Sequence, residues 1–275
     1  MENQLLVVVV LYQQSLSHMP SYDLFSKAVF EKKIQLVVYD NSRETQTDPL
    51  FETDNVLYYH DGENPGLAKA YNYALAHAKK EHSSFVLLDQ DSRLSESYFD
   101  ELLQIIWVED QVAAVPMVYD HGRQISPVYA DQYVNRQVQM VDKPQLVSDR
   151  LMAINSGAAF SIDFLKEIGG FNVDFPLDFL DHWLFWKIHQ RKKKVAVLPQ
   201  KIEHDLSVLD YTKVNVDRYR SILQAETLFY QNYDQRLLKK HRKQLLLRTA
   251  KQFLTVKNRK IWRLTLQSFA ENWKV

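Results

Sequence analysis

Residues 85–92 read Phe85-Val86-Leu87-Leu88-Asp89-Gln90-Asp91-Ser92. Four apolar residues in a row, without the in–out alternation of a one-sided strand, suit a strand covered on both faces, as in a parallel sheet between helices. The run breaks at Asp89, so two carboxylates one residue apart stand where such a strand ends. Ligands of open α/β sheets bind outside the carboxyl ends of the strands. This octapeptide therefore predicts both a fold class and the edge of the sheet where chemistry is expected.

The pattern repeats on either side. Residues 5–11, 34–39, 56–59 and 113–118 read as further strands, and residues 22–32, 67–80 and 96–108 have helical spacing. In the second of these helices Leu67, Ala70, Ala74, Leu75 and Ala78 form one apolar face. Strands alternating with helices imply an α/β domain: a mostly parallel central sheet flanked by helices. Residues 119–150 are polar and irregular and read as a long excursion, after which order resumes at 151–161. Gly169-Gly170 marks a turn before a helix over 179–191, and residues 195–198 read as a strand. From Asp217 onward there is neither Pro nor Gly, which predicts an α-helical C-terminal extension. The expected division is a domain over 1–215 and a basic helical extension over 216–275.

Composition narrows the chemistry. Apolar residues are 46% of the chain, enough for a substantial core, and there is no cysteine. Disulfides and thiolate metal sites are excluded, so a metal must be held by oxygen or histidine nitrogen. The apolar run at 5–11 has no basic segment before it and no small-residue cleavage site after it, so it reads as a strand rather than a signal peptide. No segment approaches the ~20 apolar residues that span a bilayer, and a cytoplasmic protein is expected.

Two carboxylates at a strand end, Asp89 and Asp91, suit Mg²⁺ or Mn²⁺ bound together with a diphosphate, because these ions prefer hard oxygen donors and take one or two carboxylates plus phosphate oxygens. Asp and Ser are also ordinary turn residues, so this pair is weak evidence by itself. The strand at 34–39 runs into Asp40-Asn41-Ser42, and Glu63-Asn64-Pro65-Gly66 opens a helix whose first amides are placed to face an anion. Asp178 and Asp181 lie one turn apart at the start of the 179–191 helix, where either is also a plausible cap. Trp183 and Trp186 are either an apolar wall for a sugar or core residues at i, i+3.

Taken in order, these segments resemble family 2 glycosyltransferases of GT-A fold. The resemblance is carried by Asp40-Asn41-Ser42, by Asn64-Pro65-Gly66-Leu67-Ala68-Lys69-Ala70-Tyr71-Asn72 and by Asp89-Gln90-Asp91-Ser92, then by Asn155-Ser156-Gly157-Ala158, Gly169-Gly170-Phe171, Leu177-Asp178-Phe179-Leu180-Asp181 and His204-Asp205-Leu206-Ser207. The Asp-Gln-Asp-Ser form looks particularly like the bacterial rhamnosyltransferase branch. The resemblance implies that Asp40 contacts the nucleobase or ribose, that Asn64 and Gly66 line the nucleotide, and that Asp89 and Asp91 serve the metal and diphosphate with His204 completing the coordination. It implies Asp181 as catalytic base, with Asp178 as its competitor, and it places Asp178, His182 and Trp183 on the acceptor or sugar side. Relatives often carry a glutamate two positions after the base, where this chain has Trp183, and that leaves the acceptor's identity open.

The function so implied is an inverting, metal-dependent, non-processive transferase. It would move a sugar, rhamnose among the candidates, from a dTDP- or UDP-linked donor to a glycan or lipid-linked acceptor in cell-surface polysaccharide synthesis. The Gln-x-x-Arg-Trp motif of processive synthases is absent. A nucleotidyltransferase is the competing enzyme class, opposed by Tyr12-Gln13-Gln14-Ser15 standing where a Gly-rich activating loop belongs. A catalytically impaired sugar-nucleotide-binding subunit is the non-enzymatic alternative.

Charge is unevenly spread. The chain is neutral overall, yet residues 235–275 carry twelve Lys or Arg and one acid, Glu271. Trp262, Leu266, Phe269 and Trp273 recur at i, i+4, i+7 and i+11 on one helical face. A cationic helix of this kind suits the inner face of a membrane as a peripheral contact, packing against the domain, or a homodimer contact. No nucleic-acid reader motif accompanies the charge.

Overall fold

A computed structural model describes residues 4–134, 139–203 and 215–273. The first half alternates as its sequence implies: β1 (Gln4–Leu11), α1 (Tyr22–Phe30), β2 (Ile34–Asp40), β3 (Val56–His60), α2 (Leu67–Ala76), β4 (His82–Asp89), α3 (Glu96–Leu103) and β5 (Gln111–Asp120). The second and third helices stop earlier than their apolar spacing suggests, at Ala76 and Leu103. The excursion holds three short strands, β6 (Arg123–Ser126), β7 (Val128–Tyr129) and β8 (Gln145–Val147), and β9 (Leu151–Met152) follows it. Then come β10 (Ala159–Ser161), α4 (Ile162–Glu167), α5 (Leu180–Gln190) and β11 (Lys194–Glu203). The C-terminal extension is three helices, α6 (Val216–Asn232), α7 (Leu238–Thr255) and α8 (Arg259–Trp273).

The sheet has nine strands in the order β3-β2-β1-β4-β10-β5-β11-β8, with β6 on β5. β3, β2, β1 and β4 are mutually parallel, and β11 is parallel to β5. The short β10 is antiparallel to both its neighbours, β4 and β5. Three residues inserted between two long strands carry no periodicity of their own, which is why the sequence alone does not show them.

Alternation along β1 divides the core. Leu6, Val8 and Val10 join one cluster with Tyr71 of α2, Leu184 of α5 and Phe229 of α6. Leu5, Val7, Val9 and Leu11 join the other, with Phe25 and Val29 of α1 and Phe99 and Leu102 of α3. Helices thus cover both faces. Ala225, Phe229 and Tyr230 of α6 share the core of the sheet, whereas Tyr219, Leu223, Leu245 and Ile261 form a small separate core among the last three helices.

The extension is pinned to the excursion by buried polar contacts. Arg150 pairs with Asp234 at 2.5 Å, both nearly inaccessible. The Arg248 guanidinium donates to both oxygens of Glu226 at 2.7 and 2.8 Å, and Tyr133 and His241 complete the same buried network. Burial opposes ionisation of Glu226, but the Arg248 charge outweighs it and holds the carboxyl far below its usual range. Of the face expected to be apolar on α8, Trp262 and Phe269 are half-buried and Leu266 is 39% exposed, and it is the neighbouring Ile261 and Thr265 that are buried. Among the described residues no helix is long and apolar enough to cross a membrane.

Candidate functional site

The carboxyl ends of β2, β1 and β4 lie side by side. Leu11 pairs with Asp40 and Val10 with Asp89, so the two acids flank the end of β1. Strands sit about 4.8 Å apart, which puts these backbones about 10 Å from one another. Three loops leave this edge and are clasped together. The Gln13 amide donates to Ser42 Oγ at 2.7 Å. Gln90 of the β4 loop grips Tyr12 from both sides, accepting from its amide at 2.7 Å and donating to its carbonyl at 3.3 Å.

Asp40 is fully buried. Its carboxylate accepts from the Ser42 amide (2.9 Å), the Gln46 amide (3.3 Å) and the Tyr58 hydroxyl (2.7 Å), so it shapes the 41–46 loop from within. Asp89 is half-buried and Asp91 exposed at the loop beyond β4. Beneath them the Asp89 carbonyl accepts from the Ser92 amide at 3.1 Å, and the Ser92 and Ser156 hydroxyls meet in a short hydrogen bond. Asn155-Ser156-Gly157-Ala158 thus supports the acidic loop: Gly157 donates to Leu87 O at 2.8 Å, and the Gly157 carbonyl accepts from Tyr98. Arg93, two residues past Asp91, pairs through its backbone with Glu203 at the end of β11, as a single antiparallel β-bridge. His204 lies outside the described residues. Among the described residues no group of three or more acids and histidines converges on a metal position.

The expectation for the start of α2 is corrected. Its first amides do not face an anion, because Leu67 and Ala68 both donate to the Pro176 carbonyl, at 2.6 and 3.3 Å. Gly66, at φ +94°, lies so close to that carbonyl that a Cβ would sit 2.3 Å from it. Asn64 is exposed, at φ +49°, in the turn before it. At the far end of the motif Asn72 accepts from the Phe171 amide (2.8 Å) and donates to its carbonyl (2.7 Å), and Gly170 leaves room for the amide. Two contacts, Gly66 and the first amides of α2 with Pro176 and Asn72 with Gly170 and Phe171, fasten segment 170–176 to α2 across about a hundred residues of sequence.

Those contacts deliver the second pair of acids. Phe179, at φ +64°, turns the chain into α5 and stacks on His182 at 4.4 Å. A bulky residue at positive φ is strained, and such residues gather at functional sites. Asp178 is held by Arg218 of α6 at 2.7 Å. Burial pushes its carboxyl up to about 6; the Arg218 charge opposes that shift and the neighbouring Asp181 adds to it. Asp181 is half-exposed in the first turn of α5 and accepts from the His182 amide through Oδ1 at 2.7 Å. His182 is held below its usual pKa by burial, so it is neutral near pH 7. Trp183 is only 6% exposed and packs in the core, so it offers no wall to a sugar; Trp186 packs edge-on against Tyr233.

Two residues of this site were not singled out by sequence. Tyr71, inside α2, is fully buried and its hydroxyl has no hydrogen-bond partner among the described residues. Burial raises its pKa far above 10, and the carboxylates of both Asp89 and Asp181 raise it further. One buried hydroxyl therefore lies within electrostatic reach of the acid at the end of β4 and of the acid that opens α5. Its apolar neighbours disguised it as a core tyrosine. Arg218 is the other, hidden in a helix of ordinary charged composition.

A mostly parallel sheet with an acidic loop at its carboxyl edge, covered by helices and followed by a helical region, has the GT-A architecture. The family model for glycosyl transferase family 2 matches residues 26–169, more than half of the chain. The chain belongs to that family of glycosyltransferases. No curated protein sequence matches it. Among solved structures it is similar to GalNAc-T7 with UDP, GalNAc and Mn²⁺ (TM-score 0.59, 12% identity, 99% of this chain and 56% of that one). It is also similar to residues 1–349 of S. aureus TarS in complex with UDP-GlcNAc (TM-score 0.55, 14% identity, 98% of this chain and 81% of that one). The chain thus spans little more than half of the GalNAc-T7 chain.

Proposed function

We propose that this chain moves a sugar from a nucleoside diphosphate donor to a hydroxyl of a glycan or lipid-linked acceptor by direct, inverting displacement. The observation that carries the proposal is the sheet edge: Asp40 and Asp89 end the strands on either side of β1, and the Gly66–Pro176 and Asn72–Phe171 contacts tie the segment that leads into Asp181 against α2. The UDP and Mn²⁺ of the GalNAc-T7 structure and the UDP-GlcNAc of the TarS complex support a uridine donor. The Asp-Gln-Asp-Ser motif favours dTDP-rhamnose as the other candidate.

In this reading the acceptor oxygen attacks the anomeric carbon, the bond from that carbon to the diphosphate oxygen breaks, and its electron pair leaves with the nucleoside diphosphate. Asp181 takes the acceptor proton. Asp178 is the poorer base because Arg218 holds it and burial keeps it protonated up to about pH 6. Two hard carboxylates at one strand end fit Mg²⁺ or Mn²⁺, with Asp89, Asp91 and, from sequence, His204 as the residues to hold it. The ion, when bound, offsets negative charge on the leaving diphosphate as a Lewis acid. Asp40 acts by shaping the 41–46 loop that frames the nucleotide, with Asn64 and Gly66 lining it from the turn before α2, where Gly66 also seats Pro176.

The test is thermal stabilisation by dTDP, UDP and GDP, with and without Mn²⁺, for wild type and Asp91→Ala. A ligand at about a hundred times its Kd stabilises the fold by about 2.7 kcal/mol. Stabilisation by dTDP or UDP that needs both Mn²⁺ and Asp91 is the expected result. The absence of a shift with any nucleotide under either condition would remove the basis for a donor site here.

A further inference from the structure

Helix α7 is built inside out. Its inward face carries His241, Leu245, Thr249 and Gln252, all buried, and three of the four are polar. Gln252 donates to the Tyr219 hydroxyl and accepts from Thr265, both at 2.7 Å. Its outward side carries Leu246, Leu247, Phe253 and Leu254, exposed at 48, 52, 51 and 81%. Leu246 and Phe253, like Leu247 and Leu254, are seven residues apart and so lie on the same side of the helix, two turns from one another. Trp262 of α8 stands edge-on against Phe253 at 5.4 Å and extends the patch. Surface helices of globular proteins show the opposite pattern, and clustered exposed apolar side chains mark a docking surface.

The surroundings of this patch say what covers it. Lys239, Lys243, Lys251 and Lys257 are exposed along the same helix and its end, and α8 adds exposed Lys260 and Arg263. Residues 235–270 contain eleven Lys or Arg and no acid. A second copy docked through this face brings the same cations against themselves, and like charges across an interface are costly. A nucleic acid answers the lysines but leaves the leucines in water. The surface of an anionic bilayer answers both, with phosphates for the cations and the acyl boundary for the leucines and tryptophan.

We propose that the outward face of α7, flanked by Trp262, docks on an anionic phospholipid surface. The proposal goes beyond the transfer reaction and does not rest on it. It also moves the membrane contact from the α8 face expected from sequence to a different helix.

The test is flotation of the full chain with vesicles of phosphatidylcholine alone and of phosphatidylcholine mixed with phosphatidylglycerol. Wild type, Leu247→Ser with Leu254→Ser, and Lys243→Gln with Lys251→Gln and Lys257→Gln are compared, with circular dichroism and melting temperature as folding controls. Because every substituted side chain is exposed, all three proteins are expected to fold alike. Wild type should float only with phosphatidylglycerol, and each variant should partition at least about tenfold less. Variants that float as wild type does, or binding indifferent to phosphatidylglycerol, would overturn the proposal. So would a dimer in light scattering that the leucine variant dissolves while vesicle binding persists.

Discussion

The carboxyl edge of the sheet and helix α7 both depart from apolar-inside, polar-outside, in opposite ways. At the edge, buried strands end abruptly in acids, and the polar residues stand where the strand stops. In α7 three of the four buried residues are polar, while Leu246, Leu247, Phe253 and Leu254 stand in solvent among the lysines. The first departure is local and readable from sequence, because a strand covered on both faces has no polar residue until it ends. The second is invisible to periodicity. A helical repeat of apolar side chains locates a helix and a face, but not which face meets the body.

The comparison breaks first at the acids. Asp181→Asn is expected to lower the transfer rate by about 10²–10⁴-fold, the usual share of a general base, with the melting temperature unchanged. Asp178→Asn should lower it far less. Rates measured at saturating donor decide between them, and the reverse order would assign the base to Asp178.

Next in size is the buried network behind α7. Glu226→Gln leaves the Arg248 guanidinium without its carboxylate and should cost about 3–5 kcal/mol in urea unfolding. Glu226 has a folded pKa below its ordinary 4.5, so its stabilisation is complete above that pH and is lost as the pH falls further. Wild type should therefore lose stability on acidification below about pH 4.5 more steeply than Glu226→Gln. Equal slopes would mean that this pair does not hold the extension in place.

Smaller effects sharpen the inside-out reading. Gln252→Ala strands the Tyr219 and Thr265 hydroxyls and should cost about 1–3 kcal/mol. Leu254→Gln, on the opposite face, should stay within about 0.5 kcal/mol. The two values should swap if α7 lies the other way round. Tyr71→Phe removes a buried hydroxyl with no partner among the described residues, and should raise stability by about 1 kcal/mol while slowing transfer. A variant that gains stability and keeps full rate would make Tyr71 a packing residue only.

Much of the fold was legible because it rests on long apolar runs. The strands at β1, β2, β4 and β5 and the helices between them lie where their patterns put them. β10 was not legible, since three residues between β4 and β5 owe their place to tertiary pairing alone. Of the site, the positions of Asp40 and Asp89 at adjacent strand ends followed from the sequence. Their hydrogen-bond partners did not follow: Asp40 accepts from Ser42, Gln46 and Tyr58, and the amides opening α2 are taken by Pro176. Motif order locates residues, whereas their hydrogen-bond partners, for the α2 motif about a hundred residues away, come from the fold.

The closeness of Gly66 to Pro176 limits how this scaffold can be re-engineered. Exchanging acceptor loops between transferases is a natural way to change what receives the sugar. Here segment 170–181 is not a detachable module, because Phe171 is held by Asn72 and Pro176 is seated on the first turn of α2. A graft that brings a new loop must bring its own matching helix, or Asp178 and Asp181 at its end will be presented off target.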